Sequence, residues 1–119
     1  MQSAVLSRNP VRPFAHPNDL DRKRIERSLL NRKRYRYVRP QVVTTIGGYK
    51  IESPCCSRNV DKEGGLIDVA LLLHDSESAR WELFRKNHAT DLWQLDSTHD
   101  RLPAALERLN ADPERTFWQ

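Results

Sequence analysis

Hydrophobic and polar positions change period along the chain. From Arg22 onward, Ile25, Leu29 and Leu30 recur on one side of a helical wheel, while Lys23, Arg24, Arg27 and Arg34 fall on the other. Asn18 or Asp19 offers a side chain that accepts from the free N–H groups of a first turn, so a helix is predicted from there to about Arg34. It has ended by Arg39-Pro40, because a proline ring pushes the preceding residue out of helical geometry. Beyond Pro40 the period becomes two. Residues 41–46 are rich in β-branched side chains, Gly47-Gly48 reads as a two-residue turn, and residues 49–52 alternate, which together predict a hairpin. Residues 66–73 are almost continuously apolar, as expected of a central strand covered on both faces, with Asp68 the one charged member. Residues 80–86 and 91–96 make two further strands, and connections this short demand antiparallel neighbours.

Leu102, Leu106 and Leu109 return to helical spacing. Ser97 or Asp100 is the expected cap of this second helix, Pro103 is tolerated in its first turn, and Asn110 or Asp112-Pro113 ends it. At least one of Phe117 and Trp118 is expected in the core, since two exposed large aromatics would be costly. The order reads α-β-β-β-β-β-α: an α+β fold with an antiparallel sheet of four to five strands flanked by an N-terminal and a C-terminal helix. Residues 1–17 carry Pro10, Pro13 and Pro17 and no hydrophobic period, and read as a flexible leader to a single domain over residues 18–119.

Composition narrows the class. At 119 residues, 38% hydrophobic and 30% charged, the chain has room for one core and enough apolar side chains to fill it. No apolar run approaches the roughly 20 residues that a bilayer span requires, and residues 1–12 lack the apolar centre of a secretory signal, so a cytoplasmic, non-membrane protein is expected. Cys55 and Cys56 are adjacent, with Cα atoms about 3.8 Å apart, too near for ordinary disulfide geometry. Free thiols are expected, as in a reducing compartment. Charge is divided unevenly. Residues 1–50 hold twelve Lys/Arg against three Asp/Glu, a net +9, whereas residues 51–119 hold eight against thirteen, a net −5. Such a split fits either a polyanionic partner or two halves that attract one another across the fold.

The run Ser53-Pro54-Cys55-Cys56-Ser57-Arg58-Asn59-Val60-Asp61, followed by Gly64-Gly65-Leu66-Ile67-Asp68-Val69-Ala70, resembles an uncharacterised bacterial family, domain of unknown function 3024. Trp81-Glu82-Leu83 and the ending Asp112-Pro113-Glu114-Arg115-Thr116-Phe117-Trp118-Gln119 are similar to that family as well, over roughly residues 19–119. Many members lack the Cys-Cys-Ser-Arg segment, which places this chain on a variant branch. The resemblance implies an antiparallel sheet with terminal helices and carries no activity or catalytic residue.

Candidate chemistry lies in two places. In the loop over residues 53–61, Arg58 offers a planar fork of donors and Ser53, Ser57 and Asn59 add neutral ones, a set suited to phosphate or carboxylate. A cation nearby would also lower the pKa of Cys55 or Cys56, giving a small thiol- or anion-dependent enzyme. Against this, the cysteines serve equally as small buried hydrophobes, Asp61 pairs readily with Arg58, and no general base stands at a recognisable spacing. Asp68 joins this set if it is buried beside Arg58 or an arginine of the first helix, and drops out of it if the strand face is wet. The second place is the basic stretch. Arg22, Lys23, Arg24, Arg27, Arg32, Lys33, Arg34, Arg36 and Arg39 place nine cations in eighteen residues, with Tyr35 and Tyr37 interleaved where rings could stack on bases. Neither a helix-turn-helix pattern nor an RNA-recognition signature is present, and a solvated helix whose charges complement the acidic second half is the competing explanation. No metal or cofactor is expected, because the cysteines are adjacent, His16 and His99 are scattered, and His74 and His88 read as exposed turn residues. The leading expectation is a non-enzymatic binding module for an anionic macromolecule, nucleic acid or acidic protein, and an exposed sheet edge or face would also suit self-association.

Overall fold

A computed structural model describes residues 15–36, 38–54 and 65–119. Helix α1 spans Asp19–Ser28. The Asn18 carboxamide oxygen accepts from the Asp21 amide at 2.7 Å, and Asp19 and Asp21 complement the positive end of the helix dipole. The helix is shorter than its periodicity predicts. After Ser28 the chain makes one 3-10 turn, Leu29–Asn31, and Arg32 is extended with φ −66° and ψ 151°. The reason is the Arg32 side chain, which turns inward and donates to the carbonyls of Leu29 (2.8 Å), Tyr35 (2.7 Å) and Val38 (2.5 Å). Three charge-assisted bonds replace the helical ones that residues 32–34 would have made.

Five antiparallel strands follow in the order β1-β2-β3-β4-β5: β1 Gln41–Thr45, β2 Gly48–Pro54, β3 Leu66–Asp75, β4 Arg80–Asn87 and β5 Leu92–His99. The first hairpin turns at Ile46-Gly47, not Gly47-Gly48. Gly47 takes the left-handed φ of +80°, while Gly48 already pairs with Thr45 and Leu73. A Cβ at Gly48 would lie 1.9 Å from the Leu72 carbonyl oxygen, so this position tolerates only glycine. β5 starts after Asp91, whose φ of +60° belongs to the turn, and runs on to His99, past the predicted end at Asp96.

β3 is central, as its apolar run implies, but both helices serve the same sheet face. Tyr49, Ile51, Ala70, Leu72 and Leu83 on that face are fully buried with Ile25 and Leu29 from α1 and its extension, and with Ala105, Leu106 and Leu109 from α2. Removing each large apolar side chain from water contributes about 1.5–3 kcal/mol. On the opposite face Leu71, Phe84 and Leu95 lie side by side across β3, β4 and β5; Leu71 and Phe84 are only partly buried and Leu95 is exposed, and among the described residues no helix covers them. The apolar character of Leu71 and Leu73 therefore serves cross-strand pairing as well as burial.

Helix α2, Leu102–Ala111, begins without a side-chain cap, and Pro103 occupies its first turn. The caps expected from sequence are engaged elsewhere: the Ser97 hydroxyl bonds to Asp96 and His99 within β5, and Asp100 accepts from Arg80 at 2.8 Å. Asp112 ends the helix in the left-handed region, φ 35°, with its carboxylate buried and accepting from the amides of Thr116, Phe117 and Trp118. That grip turns the chain back and buries both Phe117 and Trp118, whose indole N–H donates to the Leu109 carbonyl at 2.9 Å. Ahead of α1, His16 packs against Tyr49 and Trp81.

Candidate functional site

The basic stretch divides into two populations. Arg32, 3% exposed, is a structural cation held by three carbonyls, with its guanidinium 5.4 Å from the centre of the Trp118 ring. Arg34 donates to the carbonyls of Asp112 (3.1 Å) and Pro113 (3.2 Å), and the Tyr35 hydroxyl donates to the Gln119 main-chain oxygen at 2.5 Å. These three side chains clamp the C-terminal segment. Arg27, Lys33, Arg36 and Arg39 are exposed, and no carboxylate pairs with any of them among the described residues. Along α1 the remaining cations are matched by the helix's own acids: Arg22 with Asp19 (2.7 Å) and Glu26 (3.0 Å), Lys23 with Asp19 (3.4 Å), Arg24 with Asp21 (3.1 Å). Asp19 is held below the usual carboxylate range by the Arg22 bond and by the Lys23 charge. Among the described residues no ion pair joins residues 22–39 to the acidic second half, whose carboxylates pair with Lys50, Arg80, Lys86 and Arg108 instead.

Between α1 and α2 lies a cleft of about 1240 Å³. Arg24, Lys33 and Arg101 line it with Leu102 and Leu106, and His16, His74 and Trp81 close one end. Asn110, from the last turn of α2, ties its two walls by donating to the Ser28 carbonyl at 2.9 Å. At the closed end the His16 ring centre lies 4.6 Å from that of His74 and 4.7 Å from that of Trp81, and its Nδ1 is 2.9 Å from the Tyr49 hydroxyl. The Asn18 amide donates to that hydroxyl at 2.9 Å, which directs the Tyr49 proton to a neutral His16 Nδ1. Burial lowers the His16 pKa, reinforced by His74 and opposed by Asp21, whose carboxylate is 3.6 Å away. Tyr49 is pushed up by burial, against the Asn18 bond. The group therefore clamps the chain entering α1 to the sheet and lines part of the cleft with aromatic rings.

Neither His74 nor His88 is exposed, and His74 is a strand residue, although His88 does lie in the turn over residues 88–91. β3 continues through Asp75, so His74 stands opposite Trp81 and is half-buried. His88 is also half-buried, with Nε2 enclosed, and its pKa is lowered by burial and by Lys86. Nothing in their composition signals this; a longer β3, with its turn over residues 76–79, would have. No cluster of three or more His, Cys, Asp or Glu suited to a metal occurs among the described residues.

Of the loop candidates, Ser53 is described: it is buried within β2, one residue before the strand ends, its hydroxyl donating to the Pro54 carbonyl at 3.2 Å. Cys55, Cys56, Ser57, Arg58, Asn59 and Asp61 lie outside the described residues, as does Tyr37. Asp68 sits on the sheet face away from the helices, between Lys50 (3.2 Å) and Lys86 (3.1 Å), and so has lysines, not first-helix arginines, for partners. Burial pushes its carboxyl up, but the bonds from Lys86 and Lys50 outweigh this and leave it below the usual range. Lys86 is itself buried, 4.7 Å from the centre of the Trp93 ring.

No curated protein and no solved structure matches the chain. A family model described as a domain of unknown function, DUF3024, matches residues 13–119, and the chain belongs to that family.

Proposed function

We propose that the protein is a non-enzymatic binding module for an anionic macromolecule, nucleic acid before acidic protein, engaged through the exposed cations of α1 and the segment that follows it. One observation carries the reading: among the described residues, the cations of residues 22–39 make no ion pair with the acidic half of the chain. Charge complementarity between the two halves thus does not account for them, and the helix's own acids match only Arg22, Lys23 and Arg24. Arg27, Lys33, Arg36 and Arg39 are exposed, and the Lys23–Asp19 pair is exposed on both sides and therefore weak, so a phosphate backbone displaces it at little cost, while Arg24 presents an exposed head above the buried Asp21 carboxylate. The helix and the clamped coil present these side chains on an ordered backbone, which reduces the entropy lost on binding.

Fluorescence anisotropy with labelled single-stranded and duplex oligonucleotides, across a series of salt concentrations, tests the reading. Each phosphate neutralised is expected to contribute about −0.7 (single strand) or −0.9 (duplex) to the slope of log K against log salt. Binding with a flat salt dependence, or none at low salt, would remove the proposal.

A further inference from the structure

We infer that the pocket formed by the end of α1, the 3-10 turn and the segment entering β1 is a phosphate-binding site, gripped by Arg36 and Arg39 over the buried charge of Arg32. The pocket has a volume of about 520 Å³ and is lined by these three arginines with Glu26, Leu30 and Pro40 among the other side chains. The inference rests on the proposed anion-binding role of this segment and names the group it takes.

Three features converge. First, Arg32 is a buried cation without a described carboxylate partner: its bonds go to main-chain carbonyls, and its Nε is enclosed with no acceptor among the described residues. Carbonyl oxygens satisfy the N–H groups but leave the positive charge uncompensated. Second, the fold adds like charge beside it. The Arg36 guanidinium donates to the Arg32 carbonyl at 2.8 Å, and Arg36 together with burial lowers the Arg32 pKa, whereas Arg39 is exposed with no described hydrogen bond or ion pair. Third, the carboxylate in the lining, Glu26, is engaged with Arg22 at 3.0 Å. A dianionic oxyanion offsets three adjacent guanidinium charges better than one carboxylate does. Arginine forks also match phosphate geometry.

The test uses the full chain, labelled at arginine Nε, titrated with inorganic phosphate at constant ionic strength against chloride. Saturable shifts of the Arg36 and Arg39 Nε–Hε resonances are expected, together with a thermal midpoint that rises with phosphate. Arg36→Gln/Arg39→Gln should weaken phosphate binding by about tenfold or more, since hydrogen bonds to charged groups are lost at both positions. Should the double variant misfold, Arg39→Gln alone decides, because that side chain makes no described bond to lose. Phosphate effects no larger than those of chloride, or unchanged in the variants, overturn the inference. Competition by a single-stranded oligonucleotide identifies a strand backbone as the source of the phosphate. Saturable phosphate binding without competition identifies free phosphate or a monoester, and then the site stands while the macromolecular reading falls. Oligonucleotide binding unaffected by the double variant does the reverse.

Discussion

Arg32 and Asp112 are charged residues buried for the sake of the backbone. Each gathers three main-chain groups of the segment that follows a helix: Arg32 the carbonyls of Leu29, Tyr35 and Val38, Asp112 the amides of Thr116, Phe117 and Trp118. Asp112→Ala should therefore cost about 2–4 kcal/mol in urea unfolding, and Asp112→Asn less, because Asn keeps an acceptor and tolerates the left-handed geometry. Equal losses in the two variants would contradict this role. Asp112-Pro113 is legible in sequence as a helix stop; the three amides are not, since they depend on the turn at Arg115, φ 57°. Arg32 was legible in part. It stands three residues after Leu29 and seven after Ile25, on the buried stripe, but a run of nine cations conceals a structural one. At His16 the folded pKa lies below the unfolded value of about 6.5, so its contribution to stability is full above that value and declines as pH falls through it toward the folded value. Thermal midpoints between about pH 7.5 and 5 should fall with acidity in the wild type and fall less in His16→Gln. His88 supplies the remaining slope, and an identical slope in His16→Gln would contradict the assignment.

At the scale of elements, period-two patterning over residues 41–52, the continuous apolar run of β3 and the short connections that follow it were enough to give an antiparallel sheet of four to five strands, and the sheet has five. What they could not give was tertiary: where the hairpin turns, how far β3 runs, and which face the helices cover. The two glycines of the first hairpin separate local from tertiary causes. Gly47→Ala meets open space and incurs only the strain of φ +80°, a loss of about 1–2 kcal/mol. Gly48→Ala must displace the backbone at Leu72 in the central strand and should cost more than about 3 kcal/mol. Chemical denaturation of the two variants checks the order, and a reversal would mean that the turn sits one residue later. The unfulfilled half of the α1 periodicity has the same kind of cause. Residues 32–34 have helical spacing, yet the contacts of Arg32 and Arg34 with distant carbonyls outweigh the weak preference of an isolated turn.

In the whole molecule, the division of charge visible in sequence, +9 against −5, does not resolve into two halves bridged by ion pairs. Lys50, with Glu52 and Asp68, makes the described ion pairs from the first half to the second. The candidate surface was legible as a basic stretch but not as a selection from it. Which cations clamp the C-terminal segment and which face solvent depends on where α2 and its turn come to rest. Oligonucleotide anisotropy combined with thermal melting of two variants probes that selection. Arg27→Gln/Lys33→Gln should leave the thermal midpoint unchanged, weaken binding, and reduce the single-strand salt slope by about 0.7 for each cation in contact. Arg34→Gln should lower the midpoint through the lost bonds to Asp112 and Pro113. Unchanged affinity in the first variant, with an unchanged melt in the second, would contradict the division of the basic stretch into clamp and contact surface.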